Sequence, residues 1–158
     1  MKKLMFLLFL CHGAFAYGQI KFEDKKLALL QDIFYKTTRQ NVVSFLKDKG
    51  FEKGDEDENY KDGDEEMLVY GSEFDELSIA YKANKIKSVY SLFVGAPNTI
   101  FIEMELKNKG YKSRVVKEEI AGETVTRNLW SIAGSKLEFF TFSDEKKKLG
   151  AVGYGTFK

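Results

Sequence analysis

Nine of the fifteen residues in segment 52–66 are Asp or Glu, the densest run of potential metal-binding oxygens in the chain. Within it Asp55, Asp57, Asn59 and Glu66 occupy positions one, three, five and twelve of a calcium loop of the EF-hand kind, and hard oxygen donors at alternate residues are what Ca²⁺ coordinates. Two positions depart from such a loop. Tyr60 stands where the sharp turn requires glycine, and Asp62 where an apolar anchor is usual. The flanks read as strands rather than helices, so the same spacing also fits a solvated acidic hairpin that discourages edge pairing, or a rim that meets a basic partner.

Other chemistries are limited by residue type. The chain has one cysteine and one histidine, Cys11 and His12. Both fall in a stretch laid out as a secretory signal peptide: a basic start at Lys2 and Lys3, an apolar run over 4–10, and small residues at Gly13, Ala14 and Ala16. The signal peptide is expected to span 1–18, with cleavage after Ala16 or Gly18. Leu8, Phe9 and Leu10 ahead of Cys11 do not form the Leu-small-small pattern of a lipid-modified cysteine. Removing this segment leaves 23 Lys and Arg against 24 Asp and Glu, with no thiol and no imidazole. That excludes Cys-His and Ser-His-Asp catalysis and zinc sites built on His or Cys, and the expectation is no cofactor. The near-neutral balance argues against a nucleic-acid partner, and no later segment approaches the roughly 20 apolar residues of a membrane span.

The remaining candidates for catalysis are carboxylates. Glu65 with Glu66, and Glu118 with Glu119, are adjacent in strand-like segments, so each pair points to opposite faces and cannot flank one bond. The segment 150–157 is rich in glycine, but it lacks the Gly-Lys-Ser/Thr of a phosphate loop. Glycine in a strand marks a bulge or the close approach of a neighbouring ring. The reading is of a protein that is not an enzyme, with a small carboxylate- or Ser/Lys-based hydrolase as a minor alternative.

The elements that must position any site repeat. Leu46-Lys47-Asp48-Lys49-Gly50-Phe51 returns sixty residues later as Leu106-Lys107-Asn108-Lys109-Gly110-Tyr111. Each copy reads as a helix end, with lysines in the last turn, a left-handed glycine cap and an aromatic after it. Thr38 and Asn98 are the expected N-caps, and apolar stripes through Val42 and Leu46, and through Ile102 and Leu106, mark helices lying on a sheet. Strands are expected at 66–71, 76–82 and 86–94, with a weaker one near Phe51, and then at 111–120, 124–133, 136–143 and 149–157. Ile79 and Tyr81 align with Phe140 and Phe142 at an offset of sixty-one. The fold class is therefore α+β: a helical segment at 24–36, then tandem α-β-β-β(-β) units over 38–94 and 98–157. Together they form one antiparallel sheet of about seven or eight strands with helices on one face.

This arrangement resembles the β-lactamase-inhibitor-protein-like tandem helix-plus-antiparallel-strand domains, and more distantly the saddles of TATA-binding-protein type. The likeness covers most of 38–157 and lies in element order and repeat. Members of the first group bind other proteins through the concave face of the sheet with aromatic and acidic loop residues. The resemblance thus implies a protein-binding role, although the cysteine pairs of several members are missing.

Several strands are apolar on both faces. Phe140 and Phe142 oppose Leu137 and Phe139, Leu129 opposes Trp130, and Val89 and Phe93 oppose Tyr90 and Leu92. Either the segment 19–35 or sheet curvature covers the second face, or an aromatic binding surface is open. The expected contact residues are Trp130, Phe139, Tyr90, Leu92 and Leu137, joined by the acidic loop. The function expected is an exported, periplasmic or secreted module that binds another protein. The alternative is a carrier holding a small apolar ligand between the sheet and the N-terminal segment.

Overall fold

The computed structural model describes residues 20–55, 59–120 and 123–157. The signal-peptide segment 1–18 and Asp57 lie outside the described residues. Helix α1 spans Lys25–Lys36 and begins where Asp24 accepts hydrogen bonds from the backbone N–H groups of Lys26 and Leu27 at 2.8 and 3.0 Å. That satisfies two of the donors any helix start leaves unpaired. Helix α2, Val42–Lys47, starts later than Thr38, because the Asn41 side chain takes the Thr38 N–H at 2.6 Å and folds residues 38–41 into a turn. In α3, Asn98–Asn108, the cap is Pro97, and Asn98 is already the first helical residue.

The two helix ends have the same geometry. Gly50 and Gly110 lie at φ +84° and +88°. Phe51 and Tyr111 donate their N–H to the carbonyls of Leu46 and Leu106 at 3.0 Å in both, and the two glycines donate to Lys47 and Lys107 at 3.0 Å in both. This double closure is the Schellman arrangement, and the buried aromatic packs back over the last turn.

Among the described residues nine strands form one antiparallel sheet. They are β1 Glu52–Lys53, β2 Tyr60–Asp62, β3 Glu65–Gly71, β4 Asp75–Lys82, β5 Lys85–Val94, β6 Lys112–Ile120, β7 Glu123–Ser131, β8 Glu138–Asp144 and β9 Leu149–Gly155. Their order is β1-β3-β4-β5-β9-β8-β7-β6, with β2 also on β3. Each half is a run of hairpins preceded by a helix, and the last strands of the two halves, β5 and β9, pair at the centre from Ser88 with Gly155 to Val94 with Leu149.

On the helix-covered face one row of cross-strand partners crosses the sheet: Trp130, Phe139, Tyr154, Val89, Ile79 and Leu68. Leu27, Leu30 and Ile33 of α1, Val42 and Leu46 of α2, and Ile102 and Leu106 of α3 are buried in the same core. Each such side chain removed from water contributes about 1.5–3 kcal/mol. Ahead of α1, the Glu105 carboxylate accepts the N–H groups of Glu23 and Asp24 at 2.6 and 2.8 Å, and Phe22 packs edge-on against Phe139 at 5.3 Å. The N-terminal segment therefore covers part of the helix side of the sheet.

The sheet corrects the offset of sixty-one. Ile79 faces the helices, whereas Phe140 faces away from them, and the second-half residues on the Ile79 side are Phe139 and Thr141. A slip of one residue exchanges the faces of a strand.

Candidate protein-binding face of the sheet

The expected contact residues divide between the two faces. Trp130 is 6% exposed and Phe139 fully buried, both under the helices, which removes them from any open surface. Trp130 donates from Nε1 to the Thr141 hydroxyl at 3.0 Å, and that hydroxyl donates to Oε1 of Glu103 on α3 at 2.5 Å. Leu137, just ahead of β8, packs half-buried against the same core. These three residues hold helix to sheet. Tyr90 and Leu92 face the other way.

The face away from the helices carries its own row: Leu129, Phe140, Gly153, Tyr90, Ser78 and Val69. Gly153 sits under the Phe140 ring, and a Cβ built there would lie 2.2 Å from the ring. Glycine is required because the ring occupies the place of a side chain. Gly150 has the same relation to Phe93 on the helix side. Phe157 returns over this face and meets Phe140 and Tyr90 at 5.3 and 5.9 Å between ring centres. The Arg127 guanidinium stands 5.4 Å from the Phe140 ring while donating to Glu118 at 2.5 Å. The surplus of apolar residues on β7, β8 and β9 is thereby self-covered, and Tyr90, whose hydroxyl accepts from Ser88 at 2.7 Å, is part of the cover.

The uncovered part of this face lies toward β3, β4 and β5. There the cross-strand row reads Phe142, Ala151, Leu92, Glu76, Gly71 and Glu52, passing from apolar to acidic. A groove of about 560 Å³ runs over it, floored by Val69 and Leu92 and walled by Phe74, Val94 and Leu149, with Glu52, Lys53, Asp55 and Glu76 on its rim. Phe74 and Val94 are 70% and 67% exposed, and Leu92 is 36% exposed. Phe74 projects from the turn between β3 and β4, which is pinned by Ser72, whose N–H donates to the Asp75 carbonyl at 2.8 Å. Sequence reasoning found Leu92 but missed Phe74 and Val94. The signals were an aromatic in an otherwise polar turn and a valine two residues beyond Leu92, hence on its face.

The acidic segment is built as a sheet edge. Asn59 bonds the β3 backbone between its pairings with β1 and β2: its Oδ1 accepts the Val69 N–H at 3.1 Å while its Nδ2 donates to the Asp55 carbonyl at 3.2 Å. Glu66 faces the helix side and is held by a two-pronged ion pair with Arg39, the second contact at 2.8 Å. Two of the four proposed calcium ligands are thus committed to protein groups on different sides of β3, and Asp55 stays exposed on the groove rim. Among the described residues no group of three or more acidic, His or Cys side chains is placed to hold a metal.

The Arg39 hydrogen bond keeps the Glu66 carboxyl below the usual carboxylate range. Arg39 also stands 5.5 Å over the Tyr81 ring. Burial raises the phenols of Tyr70 and Tyr81, whose hydroxyls find no partner, and pushes Tyr111 up to about 12. These phenols stay neutral at physiological pH and serve as packing.

The fold and this face define an α+β domain with one antiparallel sheet, helices on one side, and a groove of mixed apolar and charged lining on the other. No family model matches the chain, and no curated protein matches it. Among solved structures, it is similar to the crystal structure of a cysteine-rich secretory protein from Staphylococcus aureus subsp. aureus Mu50. The TM-score is 0.41 and the identity 15%, over 72% of this chain and 43% of that one. The chain spans less than half of that structure.

Proposed function

We propose that this chain is an exported, non-enzymatic binding module that takes another protein on the uncovered face of its sheet. The groove floored by Leu92 and walled by Phe74 and Val94 is the contact. The observation supporting it is the convergence of exposed apolar side chains from the β3-β4 turn and β5 on one groove whose rim carries Glu52, Asp55 and Glu76. An apolar centre with a charged rim is how protein interfaces are commonly built, and the carboxylates favour an aliphatic partner surface flanked by Lys or Arg. Export rests on the N-terminal pattern of a basic start, an apolar run and small residues.

The test is capture from cell-envelope and secreted fractions on immobilised protein, comparing wild type, Phe74→Ser and Leu92→Ser. Phe101→Ser, at an exposed α3 position outside the groove lining, is the control. A partner held by wild type and the control, lost with both groove variants and weakened by salt, supports the reading. Equal retention by all four proteins removes it.

A further inference from the structure

The sheet ends in two unlike edges. On one side the outermost pairings are only two and three residues long, β1 and β2 on β3. On the other, β6 runs nine residues in unbroken register with β7, and no described strand pairs with its outer side. Such a strand offers its outward N–H and C=O groups as a template for another strand. Its charges are segregated by sign: Lys112, Arg114 and Lys117 come first, then Glu118 and Glu119. Val115, at its middle, is 66% exposed.

We propose that β6 is a self-recognition edge, through which two copies of this chain pair antiparallel and continue the sheet across a two-fold axis near Val115 and Val116. Antiparallel pairing reverses the second strand, so the basic half of each copy lies against the acidic half of the other. Centred on Val115, the pairing sets Lys112 opposite Glu118. Centred on Val116, it sets Arg114 opposite Glu118. In both registers a valine meets its own copy at the axis, and directly opposed partners keep the helix layers of the two copies on one side of the sheet. Opposite charges facing each other across strands stabilise the pairing, and like charges oppose it. A parallel arrangement would set like charges together. The groove of about 540 Å³ between α3 and the start of β6, lined by Ile100, Met104 and Trp130, opens beside the same edge and gives the contact an apolar flank.

The experiment is sedimentation equilibrium of the purified protein from low to high micromolar concentration, with two charge-sorted variants. One is all basic, Glu118→Lys with Glu119→Lys; the other is all acidic, Lys112→Glu with Arg114→Glu and Lys117→Glu. Wild type is expected to dimerise with rising concentration. Each variant alone should have its dissociation constant raised by roughly tenfold or more, and an equimolar mixture should recover dimer. Val115→Lys, at an exposed position the monomer tolerates, is an independent arm expected to weaken the dimer without altering the far-ultraviolet circular dichroism. A wild type that stays monomeric throughout overturns the proposal, as it would if the edge served only a strand from another protein. Variants that self-associate like wild type, or a mixture no stronger than its components, overturn it as well.

Discussion

Replacing Glu103 by alanine should cost about 2–3 kcal/mol, because one carboxylate oxygen serves a chain of donors that joins α3 to the sheet. Oε1 accepts from the Thr141 hydroxyl at 2.5 Å and from Nδ2 of Asn128 at 2.9 Å, and the Thr141 oxygen in turn accepts from Trp130 at 3.0 Å. Thr141 is buried. Without the carboxylate its proton has no acceptor in place, a penalty of about 1–3 kcal/mol for a buried group, while half-buried Asn128 recovers water and adds only about 0.5 kcal/mol. Glu103→Gln keeps an acceptor oxygen but loses the charge, and should cost about 1 kcal/mol. In a Thr141→Val background the hydroxyl is gone, so Glu103→Ala should cost about 1–2 kcal/mol less than in wild type. The assay is urea unfolding followed by the emission of Trp130, the single tryptophan, with circular dichroism on the same samples. A Glu103→Ala protein within about 0.5 kcal/mol of wild type, or a cost unchanged by Thr141→Val, would refute the reasoning.

Gly153→Ala should destabilise by about 1–3 kcal/mol, since its methyl group meets the Phe140 ring, and Phe140→Leu in the same chain should recover part of that loss in urea unfolding. Gly50→Ala and Gly110→Ala meet no neighbouring atom within 4 Å, so both should cost about 1 kcal/mol from backbone strain alone; markedly unequal losses would show that the two helix ends differ energetically. Arg39 lowers the Glu66 carboxyl in the folded chain, so the stabilisation is present above the unfolded value of about 4.3 and lost as pH falls through the folded value. The stability gap between wild type and Glu66→Gln should therefore stay level near neutrality and close on acidification; a gap that widens in acid would reverse the assignment.

What was readable in the sequence was local. The Gly50 and Gly110 helix ends depend on six adjacent residues, and both formed as spelled out. The main strands follow from apolar and aromatic runs bounded by turn residues, and β2 was missed because Tyr60, Lys61 and Asp62 carry little apolar signal and are held by pairing to β3. The start of α2 moved because a side chain, Asn41, competed with helix formation for the Thr38 N–H. The parity of each strand was also legible: Phe139 does oppose Phe140, and Tyr90 does oppose Val89. Which parity faces the helices was not legible, since it is set by loop lengths and by the bulge between β4 and β5 near Ala80 and Tyr81. That one missing bit placed Trp130 and Phe139 beside Tyr90 and Leu92, when they lie on opposite sides of the sheet. Phe74 and Val94 escaped notice because exposure is a property of what fails to cover a residue, and no local pattern records that.

The central pairing of β5 with β9 has a kinetic consequence. Each half can form its hairpins from neighbours in sequence, as β4 with β5 and β8 with β9, and such local contacts form early. The seam between the halves brings Ser88 to Gly155 and cannot close until β9, the last of the described strands, is available. Until then β5 presents an unpaired edge and the shared core under α1 stays open. Joining the halves is accordingly the step expected to limit the folding rate, and the interval before it is when the chain is most exposed to pairing with the wrong partner.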